Sequence, residues 1–141
     1  MNRSELLAFI RRHRYAVQAT TAADGAPQAA VIGVAVSDEL ELVFDTLGTS
    51  RKAQNLRSDP RMALVVGWDE EQTVQLEGVA DEPTGDELQR LKLVYFKAFP
   101  DGPEREHWPH ITYVRVRLSW ARYSDFRAGG GVVELTGAAL R

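Results

Sequence analysis

The stretch Phe44-Asp45-Thr46-Leu47-Gly48-Thr49-Ser50-Arg51-Lys52-Ala53 decides how the rest of the chain is read. Its first residues close a strand, because Leu40, Leu42 and Phe44 recur at the period of two that puts one face inward. Thr49 or Ser50 then offers a hydroxyl to cap a short helix. That helix must end near Asp59, since Pro60 disfavours helical geometry in the residue before it. Arg51 and Lys52 fall in its first turn. This is the wrong end for cations: a helix N-terminus already carries partial positive charge, and each exposed cation there costs about 0.3–1 kcal/mol. A bound anion reverses the sign. Free backbone N–H groups, the Thr49 and Ser50 hydroxyls and two cations together make a phosphate cradle. Two solvated surface charges are the other reading, and the local pattern leaves both open.

Working outward from this stretch, the chain reads as strands punctuated by short helices. Asn2 with Glu5 forms a capping box for an N-terminal helix whose Leu6, Leu7 and Ile10 share a face. Arg11, Arg12, His13 and Arg14 follow at the end where the dipole favours cations. Tyr15 to Thr21 and Gln28 to Val36 read as a hairpin about the turn Asp24-Gly25. The small residues Ala29, Ala30 and Gly33 leave room above the second strand, for tight packing or for a flat ligand. Beyond the central segment, Arg61 to Trp68 and Thr73 to Asp81 read as strands, the second with Val74, Leu76, Gly78 and Ala80 on one face. Thr84 and Glu87 suggest a second capping box, opening a helix with Leu88, Leu91, Tyr95 and Phe99 at helical spacing. Pro100 to Pro103 stops it. Ile111 to Tyr123 is a long strand expected to line Val114, Val116, Leu118 and Trp120 on one face and a solvated Arg115, Arg117 and Ser119 on the other. Gly129 to Gly131 breaks the chain before an apolar tail, Val132 to Leu140. About six strands joined by tight turns imply antiparallel pairing, in a small barrel with three helices at its rim.

Composition narrows the function classes. The 141 residues fit one domain (core 15–126, tail 127–141), with 44% hydrophobic and 26% charged residues, both ordinary for a globular chain. With no cysteine, thiolate metal sites and cysteine nucleophiles are excluded. A net charge of −3 argues against a nucleic-acid surface. No apolar run is long enough to span a membrane and the N-terminus lacks a signal-peptide shape, so the expected location is cytoplasmic with no membrane partner. His107 and His110 flank Pro109 with no evident third ligand, so no metal site is expected.

The central stretch, continued through Asn55-Leu56 and Asp59-Pro60-Arg61-Met62-Ala63-Leu64, resembles the signature of the pyridoxamine 5'-phosphate oxidase-like family. Val74-Gln75-Leu76-Glu77-Gly78-Val79-Ala80 and Trp120-Ala121-Arg122-Tyr123-Ser124-Asp125-Phe126 follow at the family's spacing, so the resemblance covers about residues 15–126. It implies a mostly β fold with flanking helices, a six-stranded antiparallel split β-barrel. It also implies a homodimer holding FMN in a groove between subunits, and oxidoreductase chemistry on a small-molecule substrate. Carried over by position, Ser50, Arg51 and Lys52 match the FMN phosphate site, and Asp45 and Thr46 match the strand end beside the flavin. Ala30, Val31, Ile32 and Gly33 match the strand facing the ring. Thr73 and Gln75 match the partner subunit's contribution, and Trp120 a late aromatic position near the cofactor or, equally, a core tryptophan.

The chain departs from the pattern in two places. Pyridoxamine phosphate oxidases proper carry basic residues where this chain has Ala30 and Ala35, and they have a C-terminal basic motif that is absent here. Oxidation of pyridoxamine phosphate itself is therefore not expected. Related families place deazaflavin or haem on the same barrel, or reduce bilins there. No histidine or cysteine falls in the expected groove, so no catalytic proton donor is assigned. A non-enzymatic cofactor carrier and a cofactor-free dimeric scaffold stand as alternatives.

Overall fold

The computed structural model describes residues 1–141. Four helices and eight strands follow in the order α1 (Arg3–Arg12), β1 (Tyr15–Thr21), β2 (Pro27–Gly33), β3 (Ala35–Val36), β4 (Glu41–Leu47), α2 (Arg51–Ser58), β5 (Arg61–Val66), β6 (Gln72–Asp81), α3 (Gly85–Ala98), α4 (Gly102–Arg105), β7 (Ile111–Asp125) and β8 (Val132–Thr136). A 3-10 turn, Gly137–Leu140, ends the chain. All pairings are antiparallel, in the order β2-β1-β5-β6-β7-β4-β3 with β8 added beside β7. The sheet curls so that inward residues of both halves, among them Ile32, Leu42, Phe44, Leu64, Val74, Leu76 and Val116, form one core. This is the mostly β, antiparallel split barrel expected from the sequence.

The strand count rises from six to eight for two physical reasons. The segment expected as one strand, Gln28 to Val36, breaks at Val34, whose N–H bonds the Arg14 carbonyl at 3.0 Å. β2 pairs with β1 before the break, and β3 pairs with β4 after it. The chain thus crosses the split between the two halves of the sheet. The apolar tail supplies the eighth strand, with Val132 opposite Ser124 and Thr136 opposite Trp120. It also seats Leu140 in the core.

Three further expectations are corrected. The register of β6 against β7 slips so that Glu77 faces Trp120 and Gly78 faces Leu118, which leaves Ser119 as an unpaired bulge residue. The extra residue turns Trp120 away from the inward row of Val114 and Val116. Arg115 is not solvated either. It is 5% exposed, because α3 lies over the outward side of β4 and β7 and brings Glu87 to it. The Asn2–Glu5 capping box forms as read, but Thr84 makes no side-chain cap bond. Glu87, its expected partner, is held by Arg90 and Arg115 at 2.8 and 2.7 Å, and those charged contacts outweigh a cap.

Candidate functional site

The α2 N-terminus is built as the sequence suggests. Ser50 is the N-cap, its Oγ accepting from the Ala53 N–H at 3.2 Å. The first intrahelical bond runs from Gln54 N to Ser50 O, so the N–H groups of Arg51 and Lys52 lie outside the ladder. Thr46, at the end of β4, points inward with Phe44, and its Oγ1 meets Ser50 Oγ at 3.1 Å. Lys52 donates to the same Thr46 Oγ1 at 3.1 Å. Partial burial disfavours the Lys52 ammonium and lowers its pKa, and nearby Asp45 opposes that shift. Arg51 is exposed, its guanidinium against the Gln28 carboxamide. The Lys52 ammonium and the Thr46 and Ser50 hydroxyls therefore meet at the start of α2, beside backbone N–H groups outside the ladder, with no acidic residue in the first turn and the Arg51 guanidinium one residue away against Gln28.

Beneath this cradle lies a polar layer that the sequence reading passed over. Asn55 Nδ2 donates to Thr20 Oγ1 at 3.1 Å and lies 2.7 Å from the Gln28 carboxamide, tying α2 to β1 and β2. Asn55 is buried in mid-helix, where asparagine is a poor helix former, and that mismatch was the available signal.

The remaining site residues divide into three places. Ala30 and Val31 are exposed on β2, which ends the sheet order and so leaves one backbone edge without a strand partner. Ile32 is in the core. Gly33 is not open above its backbone, since an added Cβ would lie 2.8 Å from the Phe99 ring. Asp45 is held by its neighbours: Tyr95 OH donates to Oδ1 at 3.0 Å and Arg105 Nε to Oδ2 at 2.7 Å. Burial, with Asp45 beside it, pushes the Tyr95 phenol pKa up, so it stays a hydrogen-bond donor. Thr73 and Gln75 alternate with buried Val74 and Leu76 and so face outward. Trp120 joins Gln75 there, with Val17, Ala63 and Val65, around a shallow hollow of about 150 Å³. Thr46, Ser50 and Lys52 thus come together within one protomer, with Arg51 next to them in sequence and its guanidinium against Gln28. Thr73, Gln75 and Trp120 form a second group on the outer face of the sheet.

The pattern of the family described as pyridoxamine 5'-phosphate oxidase matches residues 3–123. A pyridoxine/pyridoxamine 5'-phosphate oxidase of Bordetella avium is 34% identical over 117 residues, covering 80% of this chain and 53% of that protein. The chain spans about half, or less, of the length of such curated relatives. Among solved structures, a haem binding protein of Mycobacterium smegmatis superposes with TM-score 0.85 at 21% identity, over 99% of this chain and 60% of that one. A conserved hypothetical protein of Mycobacterium tuberculosis superposes with TM-score 0.76 at 26% identity, over 98% and 94%. The chain belongs to the pyridoxamine 5'-phosphate oxidase family.

Proposed function

We propose that this protein is an FMN-binding oxidoreductase acting on a small substrate, with the cofactor shared between two copies of the chain. The observation that carries the reading is the α2 cradle. Cations in the first turn of a helix are unfavourable unless an anion meets them, and here Ser50, Thr46 and two free N–H groups are arranged to do the same. The Arg51 and Lys52 charges would neutralise the phosphate, and the Asn55 bridge to Thr20 and Gln28 would hold the cradle rigid. Ala30 and Val31 would offer the unpaired backbone edge of β2 to the ring. Bound flavin would supply the electron-transfer chemistry, and the protein its orientation and electrostatic setting. A second copy is part of the proposal because Gln75 and Trp120 lie on the outer face of the sheet, outside the group formed by Thr46, Ser50 and Lys52. Oxidation of pyridoxamine phosphate is not proposed, because Ala30 and Ala35 bring no cation to β2 and β3.

Titration of the apoprotein with FMN, followed by flavin fluorescence, tests the reading. Saturation at one FMN per chain is expected, and Arg51→Ala with Lys52→Ala should weaken it at least about tenfold, or ~1.4 kcal/mol. Unchanged affinity in the double variant would move the phosphate site elsewhere. A haem carrier is the second reading, favoured by the fold likeness to the mycobacterial haem binding protein. Saturable haem uptake in place of FMN would establish it.

A further inference from the structure

The break at Val34 does more than divide a strand. Where β2 leaves β1 and crosses to β4, it floors a hollow of about 480 Å³. Val34, Ala35 and Val36 form the floor, and Val94, Ala98 and Phe99 of the α3 end form a wall. Arg11, Arg14 and Lys97 stand around it, with Asp38 the one carboxylate. Asp38 is paired with Arg11 at 2.7 Å, and its carboxyl also feels the more distant Lys97 charge. The side chains of Arg14 and Lys97 make no hydrogen bond or ion pair within the chain, and the Arg14 guanidinium carbon lies over the Phe99 ring, 4.9 Å from its centroid. Asp101, which also feels Arg14, is already paired with Arg105 at 2.8 Å. Helix C-termini attract cations, which accounts for Lys97 in the last turn of α3. It does not account for Arg14, which lies beyond α1, nor for an apolar hollow under two unpaired charges.

We propose that this pocket binds a small organic anion, its apolar body on the Val34–Val36 floor and against Phe99, its carboxylate or phosphate between Arg14 and Lys97. A recess with an apolar floor and a few charged groups at its rim is a usual form of a small-molecule site, and a guanidinium placed over an aromatic ring still has N–H groups to offer an oxyanion. The site is separate from the α2 cradle and does not depend on flavin.

The test is a titration of the full chain, without flavin, with benzoate, phenyl phosphate and the neutral benzamide, read by backbone amide shifts in NMR. Saturable shifts at Val34, Ala35 and Ala98 are expected with one or both anions, and binding at least about tenfold weaker with benzamide. A preference between the two anions identifies the headgroup. Arg14→Ala with Lys97→Ala should weaken binding at least about tenfold. Ala98→Trp, which fills the hollow and keeps both charges, should abolish it. Arg51→Ala with Lys52→Ala should leave it unchanged, so that failure here and failure of the FMN reading are told apart. Benzamide binding as well as benzoate, affinity indifferent to Arg14 and Lys97 in a folded variant, or no saturation by either anion would overturn the proposal.

Discussion

Arg115 joins β4, β6 and α3, accepted by Glu41, Asp81 and Glu87 at 2.6–3.2 Å. At 5% exposure it would be costly alone, and three carboxylates offset the lost hydration. The Asp81 carboxyl is held below its usual 3.8, chiefly by the Arg115 hydrogen bond, with burial opposing. A depressed folded-state pKa means that this contribution is fully present above the unfolded value and is lost as pH falls through the folded one. Because Asp81 is 42% exposed, Asp81→Asn should cost only about 1 kcal/mol at neutral pH. The difference should shrink below the unfolded pKa of ~4 and vanish at still lower pH. Denaturant midpoints of both proteins across that range check this, and a pH-independent difference would sink it. The strand pattern around Arg115 gave no sign of its burial, since nothing local says that α3 returns over that face. Arg117, two residues on, is 61% exposed as expected.

Among the elements, β6 and β7 show how one small residue sets a register. Gly78 sits where the pairing slips, and an added Cβ would lie 2.4 Å from the Arg117 carbonyl oxygen. That obstacle is main chain and cannot swing aside. Gly78→Ala should therefore destabilise the fold by about 1–3 kcal/mol, measured as a fall in unfolding midpoint. A neutral outcome would mean that the bulge can relocate. The bulge also explains why Trp120 left the row read from alternation: period two holds only while every residue pairs. By contrast, α1 with its capping box, the β1–β2 hairpin and the Ser50 cap follow from contacts within a few residues, and all were readable in advance. The Val34 break and β8 were not, because each is set by a partner strand distant in sequence.

On the scale of the whole molecule, the outer face of β1, β2, β5 and β6 carries Val17, Ala63 and Val65 together with Tyr15, Val31 and Val79, the last three 53%, 64% and 50% exposed. Gln75 and Glu77 stand among these side chains, so the face is mixed, and we propose it as the surface that meets a second copy. If it holds a second copy, Val65→Lys should give a monomer by sedimentation. It should also weaken FMN binding at least about tenfold, although Arg51 and Lys52 are untouched. A monomer that binds FMN as tightly as the parent would confine the site to one protomer. A persistent dimer would place the interface elsewhere. No helix in the structure is long and apolar enough to cross a membrane.

The amino-acid sequence by itself determined most of the element types, though not β8 or α4, together with the α2 cap, the β1–β2 hairpin and the placement of Arg51 and Lys52 at a helix start, because all of these rest on spacing over a few residues. The tertiary structure alone decided which outward residues are covered. It buried Arg115 under α3, closed Phe99 over Gly33, set Asn55 beneath the cradle and hollowed the pocket at Val34. Each depends on two segments far apart in the chain meeting in space, and no local periodicity encodes that meeting.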